Sequence, residues 1–129
     1  MSDVTITVPA RPEFVHVLRS VIASVAARAE FTYDEIDDVR LAVDECCAQL
    51  FAVVGGASLT MRVRQTEADA LEILTTSDGD GSHWPPPGAE STLTWQVLQA
   101  LADEARFEQL DGTPALRLIK RRTPAGDRP

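Results

Sequence analysis

The sequence predicts an α+β domain, a two-layer sandwich with helices on one face of a mixed, mainly antiparallel sheet. Strand-like alternation and helix-like periodicity occupy separate segments, in the order strand, helix, helix, strand, strand, helix, strand. The chain has 129 residues, enough for one hydrophobic core and too few for two. We expect a single domain over residues 1–122 and a flexible tail over residues 123–129.

Four segments have the character of strands. Residues 3–8 alternate polar and apolar side chains, which is typical of a strand with one buried face. Residues 58–64 and 70–77 follow the same period on either side of a polar, hairpin-like linker. Residues 115–120 form the last predicted strand.

Three segments have the period of an amphipathic helix. The first begins at Glu13, and its apolar residues recur at steps of three and four: Phe14, Val17, Leu18, Val21, Ile22 and Val25. Thr32 and Glu35 have the spacing of a capping box, which predicts the start of the second helix. The glycines at 55–56 end that helix, and the third predicted helix covers residues 93–107.

Charge and composition exclude several classes of function. Twelve basic and twenty acidic residues give a net charge of −8 and a pI near 4.6. This balance disfavours direct binding to nucleic acid or to an anionic membrane, and it suits a protein partner with a basic surface. No apolar run is long enough to span a bilayer and no signal peptide is recognisable, so we expect a cytoplasmic protein. Cys46 and Cys47 are adjacent, which excludes the long-range disulfide of a secreted scaffold.

The segment TTSDGDGSHWPPPG, residues 75–88, has three interpretations: a calcium loop, a glycine loop that cradles phosphate, or a plain turn. Asp78, Asp80 and Ser82 have the spacing of the first EF-hand ligands. His83 stands where that loop needs glycine, and the twelfth position lacks a glutamate. We therefore reject the calcium interpretation.

Zinc is rejected on similar grounds. Cys46 and Cys47 point in different directions on a helix, while His16 and His83 are distant in sequence. A structural zinc site needs four convergent ligands. We expect at least one of the two cysteines to lie in the core, and we predict no metal site.

The segment VRLAVDECCAQL, residues 39–50, resembles the signature helix of the RsbW/SpoIIAB-type anti-sigma factors, which belong to the GHKL ATPase/kinase superfamily. The LAVDE core is closest to the actinobacterial RsbW-like members. The resemblance implies that Glu45 matches the family's catalytic base. Gln49 stands where the family has the asparagine that holds magnesium.

The glycine motif of that family, Asp-x-Gly-x-Gly, is matched in part. Gly79 and Gly81 align with its glycines, and Ser77 occupies the position of the aspartate that binds the adenine amino group. A serine hydroxyl is a weaker acceptor than a carboxylate and carries no charge. The resemblance therefore implies a degenerate adenine site.

The family's lid and its last motif are also recognisable. Residues 101–103 match the end of the lid helix, but Thr92 and Thr94 replace the lid glycines, which removes the close backbone approach to phosphate. The final Gly-Thr of the family is kept as Gly112 and Thr113. We expect no tight cofactor, with ATP and Mg bound only if the degenerate site still functions.

The resemblance implies an anti-sigma factor that sequesters an alternative sigma factor and is released by a STAS-type anti-anti-sigma protein. Arg19 falls where the family often carries an arginine that contacts partners, and a homodimer is a further expectation. Trp95 is expected to pack on its helix and Trp84 to be exposed as a contact residue. Two alternatives stay open: an ATP-dependent serine kinase with Glu45 as base, and a regulatory domain with another protein target.

Overall fold

A computed structural model describes residues 3–124. The single-turn helices Pro12–Phe14 and Ala89–Ser91 precede the first and third α-helices. The main elements, in chain order, are β1 (Asp3–Pro9), α1 (Val15–Arg28), α2 (Tyr33–Val53), β2 (Ser58–Glu67), β3 (Ala70–Ser77), α3 (Leu93–Leu101), β4 (Glu104–Leu110) and β5 (Thr113–Arg121).

The five strands form one sheet in the order β1-β2-β3-β5-β4, and every neighbouring pair is antiparallel. Buried and less buried residues alternate along β2 and β3, because successive side chains point to opposite faces of a sheet. The buried face packs against the helices around Leu59, Ile73, Ile22 and Val43. The predicted α+β sandwich is confirmed.

A capping box starts α2, as predicted. Thr32 Oγ1 accepts a hydrogen bond from the Glu35 amide at 3.2 Å, and Glu35 Oε1 accepts one from the Thr32 amide at 2.7 Å. Two of the backbone donors that a helix leaves unpaired at its start are thereby satisfied. The start of α2 is therefore specified by its local sequence.

Both cysteines of α2 lie in the core. Cys46 is fully buried and Cys47 is 1% exposed. Burial raises the pKa of both thiols, to about 12 for Cys47, where the nearby Asp44 carboxylate adds to the effect. The thiols are therefore neutral packing groups at pH 7, which agrees with the predicted core position.

The third helix is shorter than predicted. It ends at Leu101 instead of Phe107, and residues 104–110 form the edge strand β4. Ala102 is extended, and the Asp103 amide donates to the Ile119 carbonyl at 2.9 Å. Pairing with β5 gives hydrogen-bond partners to the backbone of these residues and places Ala105 in the core. Over residues 104–107, pairing with β5 therefore outweighs the helical pattern that continues from residues 93–101.

The outer face of the sheet carries a chain of ion pairs. Arg117 contacts Glu108 at 2.7 Å and Glu72 at 3.0 Å, and Arg64 contacts Glu72 at 3.9 Å and Asp3 at 3.6 Å. These side chains are at least partly exposed, so each pair contributes on the order of 1 kcal/mol or less. This face is polar, and the sheet buries its other face.

The predicted tail begins at Thr123, which hydrogen-bonds to Glu35, and residues 125–129 lie outside the described residues. No helix within residues 3–124 combines the length and the apolar character that crossing a membrane requires.

Candidate functional site

The residues predicted to form a nucleotide site lie on α2, on β3 with the loop after it, at the start of α3 and at the start of β5. Gln49 Nε2 donates a hydrogen bond to Thr94 Oγ1 at 3.2 Å, which joins α2 to the first turn of α3. Glu45 is half-buried on α2, one helical turn before Gln49. The signature helix and the lid segment are thus in direct contact.

Ser77 is hydrogen-bonded to two backbone groups of the fold. Its side chain is buried, and its Oγ donates to the Gly55 carbonyl at 2.8 Å and accepts from the Gly79 amide at 3.0 Å. An ionised aspartate at this position could accept but could not donate to Gly55. The serine therefore ties the end of β3 to the turn after α2.

Gly79 and Gly81 permit close approach of backbone to backbone. A Cβ atom at Gly79 would lie 2.6 Å from Val54 Cγ1 and 2.9 Å from the Val54 carbonyl oxygen. A Cβ atom at Gly81 would collide with the carbonyl oxygen of Gly112. Packing alone therefore requires both glycines, whether or not a phosphate binds here.

The aspartates of the loop stabilise turns. Asp78 Oδ1 accepts hydrogen bonds from the amides of Ser58 at 2.9 Å and Ala57 at 2.8 Å, and these bonds lower the pKa of Asp78. Asp80 Oδ1 accepts from the Ser82 amide at 2.9 Å, which lowers the pKa of Asp80. Within residues 3–124, no group of three or more metal-ligating His, Cys, Asp or Glu side chains converges.

Trp84 is buried, contrary to the prediction of an exposed contact residue. It is 4% exposed, and its Nε1 donates to the Ala115 carbonyl at 3.1 Å. Its ring packs against Phe107 with centroids 5.4 Å apart, and Phe107 packs against Trp95 at the same separation. Gln109 donates to the Trp84 carbonyl at 3.2 Å. Phe107 and Gln109 belong to β4, which the sequence analysis did not predict. The burial of Trp84 against these two residues therefore could not be predicted either.

The remaining lid and hairpin residues also have structural roles. Thr92 Oγ1 accepts from the Trp95 amide at 3.1 Å and caps α3. Thr113 is exposed at the start of β5, paired with Leu110 across the turn. Gly112, at a φ of 84°, provides that turn and packs against Gly81.

The hydrogen bonds of these residues can be compared with what ATP and magnesium would need. The amide nitrogen of Gln49 is bonded to Thr94, and the hydroxyl of Ser77 to two backbone groups. Magnesium would need the amide oxygen of Gln49, which is not part of the bond to Thr94. An adenine amino group would find at Ser77 a neutral oxygen with one remaining lone pair, a weaker acceptor than a carboxylate.

A second candidate site lies between α1 and α2. Arg19 Nε lies 3.2 Å from Asp44 Oδ1, and about a third of each side chain is exposed. Burial raises the pKa of Asp44, although the charges of Arg19 and Arg40 act in the opposite direction. Arg19 Nε and Asp44 Oδ1 have no hydrogen bond of good geometry among the described residues.

Three adjoining concave regions share Arg19. The first has a volume of about 600 Å³, and its lining residues are Pro12, Val15, Arg19, Asp44, Cys47, Ala48, Phe51 and Ala52. The others measure about 400 Å³ and about 300 Å³, and both also include Arg40. Arg19 therefore stands between a mainly apolar groove and a more polar surface.

Sequence reasoning selected Arg19 but missed the groove beside it. Phe51 and Pro12 come from elements far apart in the sequence, and only the antiparallel packing of α1 against α2 brings them together. One residue could have indicated this groove from the sequence. Asp44 is an acidic residue that lies between the buried Val43 and the core cysteines of α2.

Comparison with protein families gives one match over most of the chain. A family model described as "Histidine kinase-like ATPase domain" matches residues 8–120. In a solved structure, the RsbU and RsbW domains of a Mycobacterium tuberculosis protein, a similar fold superimposes with a TM-score of 0.72 at 17% identity. That match covers 97% of this chain and 34% of the other, and it supports the fold alone.

Several curated proteins are similar in sequence. The serine-protein kinase RsbW of Bacillus pumilus is 39% identical over 125 residues, and that of Bacillus subtilis is 29% identical over 124 residues. Each alignment covers 81% of this chain and 77% of the relative. The anti-sigma-F factor RsbW of Mycobacterium tuberculosis is 31% identical over 104 residues, which are 80% of this chain and 60% of that protein.

Proposed function

This chain belongs to the histidine kinase-like ATPase domain family, and on that basis we propose that it is an anti-sigma factor. It binds an alternative sigma factor and keeps it from transcription, and a STAS-type anti-anti-sigma protein releases it. The names of the relatives, which include an anti-sigma-F factor, support this proposal. Because sigma factors act in the cytoplasm, the protein acts there too.

The observation that carries the proposal is the surface between α1 and α2. Arg19 borders an apolar groove of about 600 Å³ and two further concave regions. An arginine beside an apolar groove is a common centre of protein–protein binding, because it combines buried area with directed hydrogen bonds.

Charge supports a basic partner. The chain has a net charge of −8, and α2 carries six acidic residues and one arginine: Asp34, Glu35, Asp37, Asp38, Asp44, Glu45 and Arg40. Such a surface raises the rate of association with a basic helix, and added salt reduces this electrostatic attraction. We therefore expect the sigma factor to insert apolar residues into the groove, with basic residues along α2.

Release proceeds without nucleotide. Ser77 offers no negative charge to an adenine amino group, and Thr92 and Thr94 stand where the family resemblance places the lid glycines. The anti-anti-sigma protein therefore competes for the α1–α2 surface and is not phosphorylated. The alternative is an ATP-dependent serine kinase with Glu45 as general base.

The test is to mix the protein with alternative sigma factors of its source organism and to look for a complex by size exclusion with light scattering. We expect a complex at micromolar concentration and at least about tenfold weaker binding for Arg19→Ala. Arg28→Ala, also on α1, is the matched control and should bind like the wild type. Absence of a complex, or equal losses for both variants, would contradict the proposal. The light scattering of the free protein also reports whether it forms the expected homodimer.

A further inference from the structure

The chain beyond β5 is fastened to the start of α2. Thr123 donates two hydrogen bonds to one oxygen, Glu35 Oε2, from its amide at 2.6 Å and from its hydroxyl at 2.8 Å. The other oxygen of Glu35 accepts from the Thr32 amide at 2.7 Å. A single carboxylate therefore holds both the helix cap and the C-terminal segment.

The attachment of Thr123 to α2 depends on the negative charge of the Glu35 carboxylate, which is nearly buried. Glu35 is 8% exposed. Burial alone would raise the pKa of Glu35, but hydrogen bonds from Thr32 and Thr123 outweigh it and lower the pKa. Donors to a carboxylate make strong hydrogen bonds, and water cannot easily replace them at a buried site.

Arg122 adds a second attachment. Its Nη1 donates to the Ala29 carbonyl at 3.4 Å and to Glu30 Oε2 at 3.2 Å, both at the turn between α1 and α2. Its amide donates to the Asp69 carbonyl at 2.6 Å. Residues 122–124, which we call the strap, thus hold the α1–α2 turn against the end of the sheet.

Thr123 has the surroundings of a kinase substrate once its hydroxyl leaves Glu35. It is exposed, lies outside regular secondary structure and directly follows Arg121 and Arg122. Pro124 restricts it to an extended conformation, the form in which a peptide lies in an enzyme cleft. Basic residues before a hydroxyl fit the acidic substrate clefts of many serine/threonine kinases, since substrate charge patterns set kinase specificity.

We propose that Thr123 is a phosphorylation site whose modification releases the strap from α2. A serine/threonine kinase transfers the γ-phosphoryl group of ATP to Thr123 Oγ1. The bond from the γ-phosphorus to the β–γ bridging oxygen breaks and a new P–O bond forms. The hydroxyl proton passes to the base of the kinase, and ADP leaves.

Phosphorylation would turn the attraction between Thr123 and Glu35 into repulsion. A hydroxyl that donates to Glu35 is replaced by a group of charge about −1.5 to −2 with acceptor oxygens only. Two anionic groups cannot share the space of one hydrogen bond in a nearly buried site. The strap therefore separates from Glu35, while the bond between Glu35 and Thr32 keeps α2 capped.

The first test is labelling of the full chain by a purified bacterial serine/threonine kinase domain with ATP and magnesium, followed by tandem mass spectrometry. We expect one phosphoryl group per chain, on Thr123, and none in Thr123→Val. Arg121→Gln should slow labelling about tenfold, and Arg106→Gln, an exposed arginine on β4, should not. Absence of labelling, or labelling of Ser20 or Thr66 instead, would overturn the proposal.

The second test addresses the release itself. Glu35→Gln weakens the acceptor, so Thr123 should be labelled about tenfold faster, as expected for loss of one charge-assisted hydrogen bond. In the phosphorylated protein, the Thr123 amide should exchange with deuterium as fast as an open chain. Unchanged labelling in Glu35→Gln, or unchanged protection after phosphorylation, would overturn the release. Both measurements report on this chain alone and need no sigma factor.

Discussion

Gln49 on α2 donates a hydrogen bond to Thr94 at the first turn of α3, over 3.2 Å and across 45 positions of sequence. Both residues replace ones that, by the resemblance to the RsbW/SpoIIAB family, would serve magnesium and the nucleotide lid. In this chain the two side chains are bonded to each other. The bond joins α2 to α3 at the positions where the resemblance predicts nucleotide contacts.

The Gln49–Thr94 bond should be measurable as a coupling. Thr94→Val removes the acceptor and should lower the free energy of unfolding by about 1 kcal/mol. In a double-mutant cycle with Gln49→Met, the two losses should not add, because either change alone breaks the bond. Gln96→Ala, on the exposed side of α3, is the control for urea unfolding. Fully additive losses would show that the bond contributes nothing.

Restoring the family's aspartate should destabilise the protein without restoring nucleotide binding. In Ser77→Asp the carboxylate cannot donate to the Gly55 carbonyl, which leaves a part-buried acceptor unpaired at a cost of about 1 kcal/mol or more. Calorimetry should detect no submillimolar binding of ATP with magnesium, in this variant or in the wild type. Ser77→Ala removes the hydroxyl without adding charge and should be the less damaging change. Tight ATP binding by Ser77→Asp would revive the kinase alternative.

Trp84 should be a major source of stability. Trp84→Ala removes a buried ring and should cost about 3–5 kcal/mol, while Trp84→Phe loses mainly the bond to Ala115, about 1 kcal/mol. Leu93→Ala is the control, since Leu93 is 73% exposed and its loss should change stability by less than about 0.5 kcal/mol. Thermal unfolding measures all three. A Trp84→Ala protein as stable as Leu93→Ala would contradict the buried position.

Thr75 offers a stabilising substitution. It is fully buried on β3, and its Oγ1 has no hydrogen-bond partner among the described residues. Thr75→Val keeps the shape and removes the unpaired hydroxyl, so the free energy of unfolding should rise by about 1 kcal/mol. Thr76→Val, on the other face of β3, serves as the control. A loss of stability in Thr75→Val would indicate that a water molecule pairs with this hydroxyl.

Acid should weaken the fold partly through Glu35. Its pKa is lower in the folded protein, so the unfolded chain binds the proton more readily. The stabilisation is present above the unfolded pKa and is lost as the pH falls through the lower, folded pKa. Glu35→Gln should flatten the decline of unfolding free energy between about pH 6 and about pH 3. The pKa of Asp44 is raised in the folded protein, so protonation of Asp44 favours folding as the pH falls. Asp44→Asn should therefore make the loss of unfolding free energy in acid steeper.

The exposed Glu67 provides the control for these titrations. Glu67 is exposed near the end of β2, and Glu67→Gln should leave the pH dependence of the unfolding free energy unchanged. If Glu35→Gln showed the same slope as Glu67→Gln, the hydrogen bonds from Thr123 and Thr32 would not act on this carboxylate as inferred.

Periodicity predicted most of the fold, because each element carries its pattern locally. The capping box of Thr32 and Glu35 marks the start of α2 within four residues, and β3 was predicted with the bounds that the structure has. The element that was missed, β4, exists because β5 offers an edge to pair with. Residues 104–107 fit a helix nearly as well as a strand, so only the neighbour decides between the two.

The amino-acid sequence by itself determined the sandwich, the main elements other than β4, and the family, since alternation, helical stripes and the LAVDE helix are all short-range signals. Tertiary structure decided what the singled-out residues do. Gln49 meets Thr94, Trp84 turns inward to Ala115, and Glu35 holds Thr123 from 88 positions away. These pairs form only when distant elements pack together, and neither partner leaves a local pattern from which the other could be predicted.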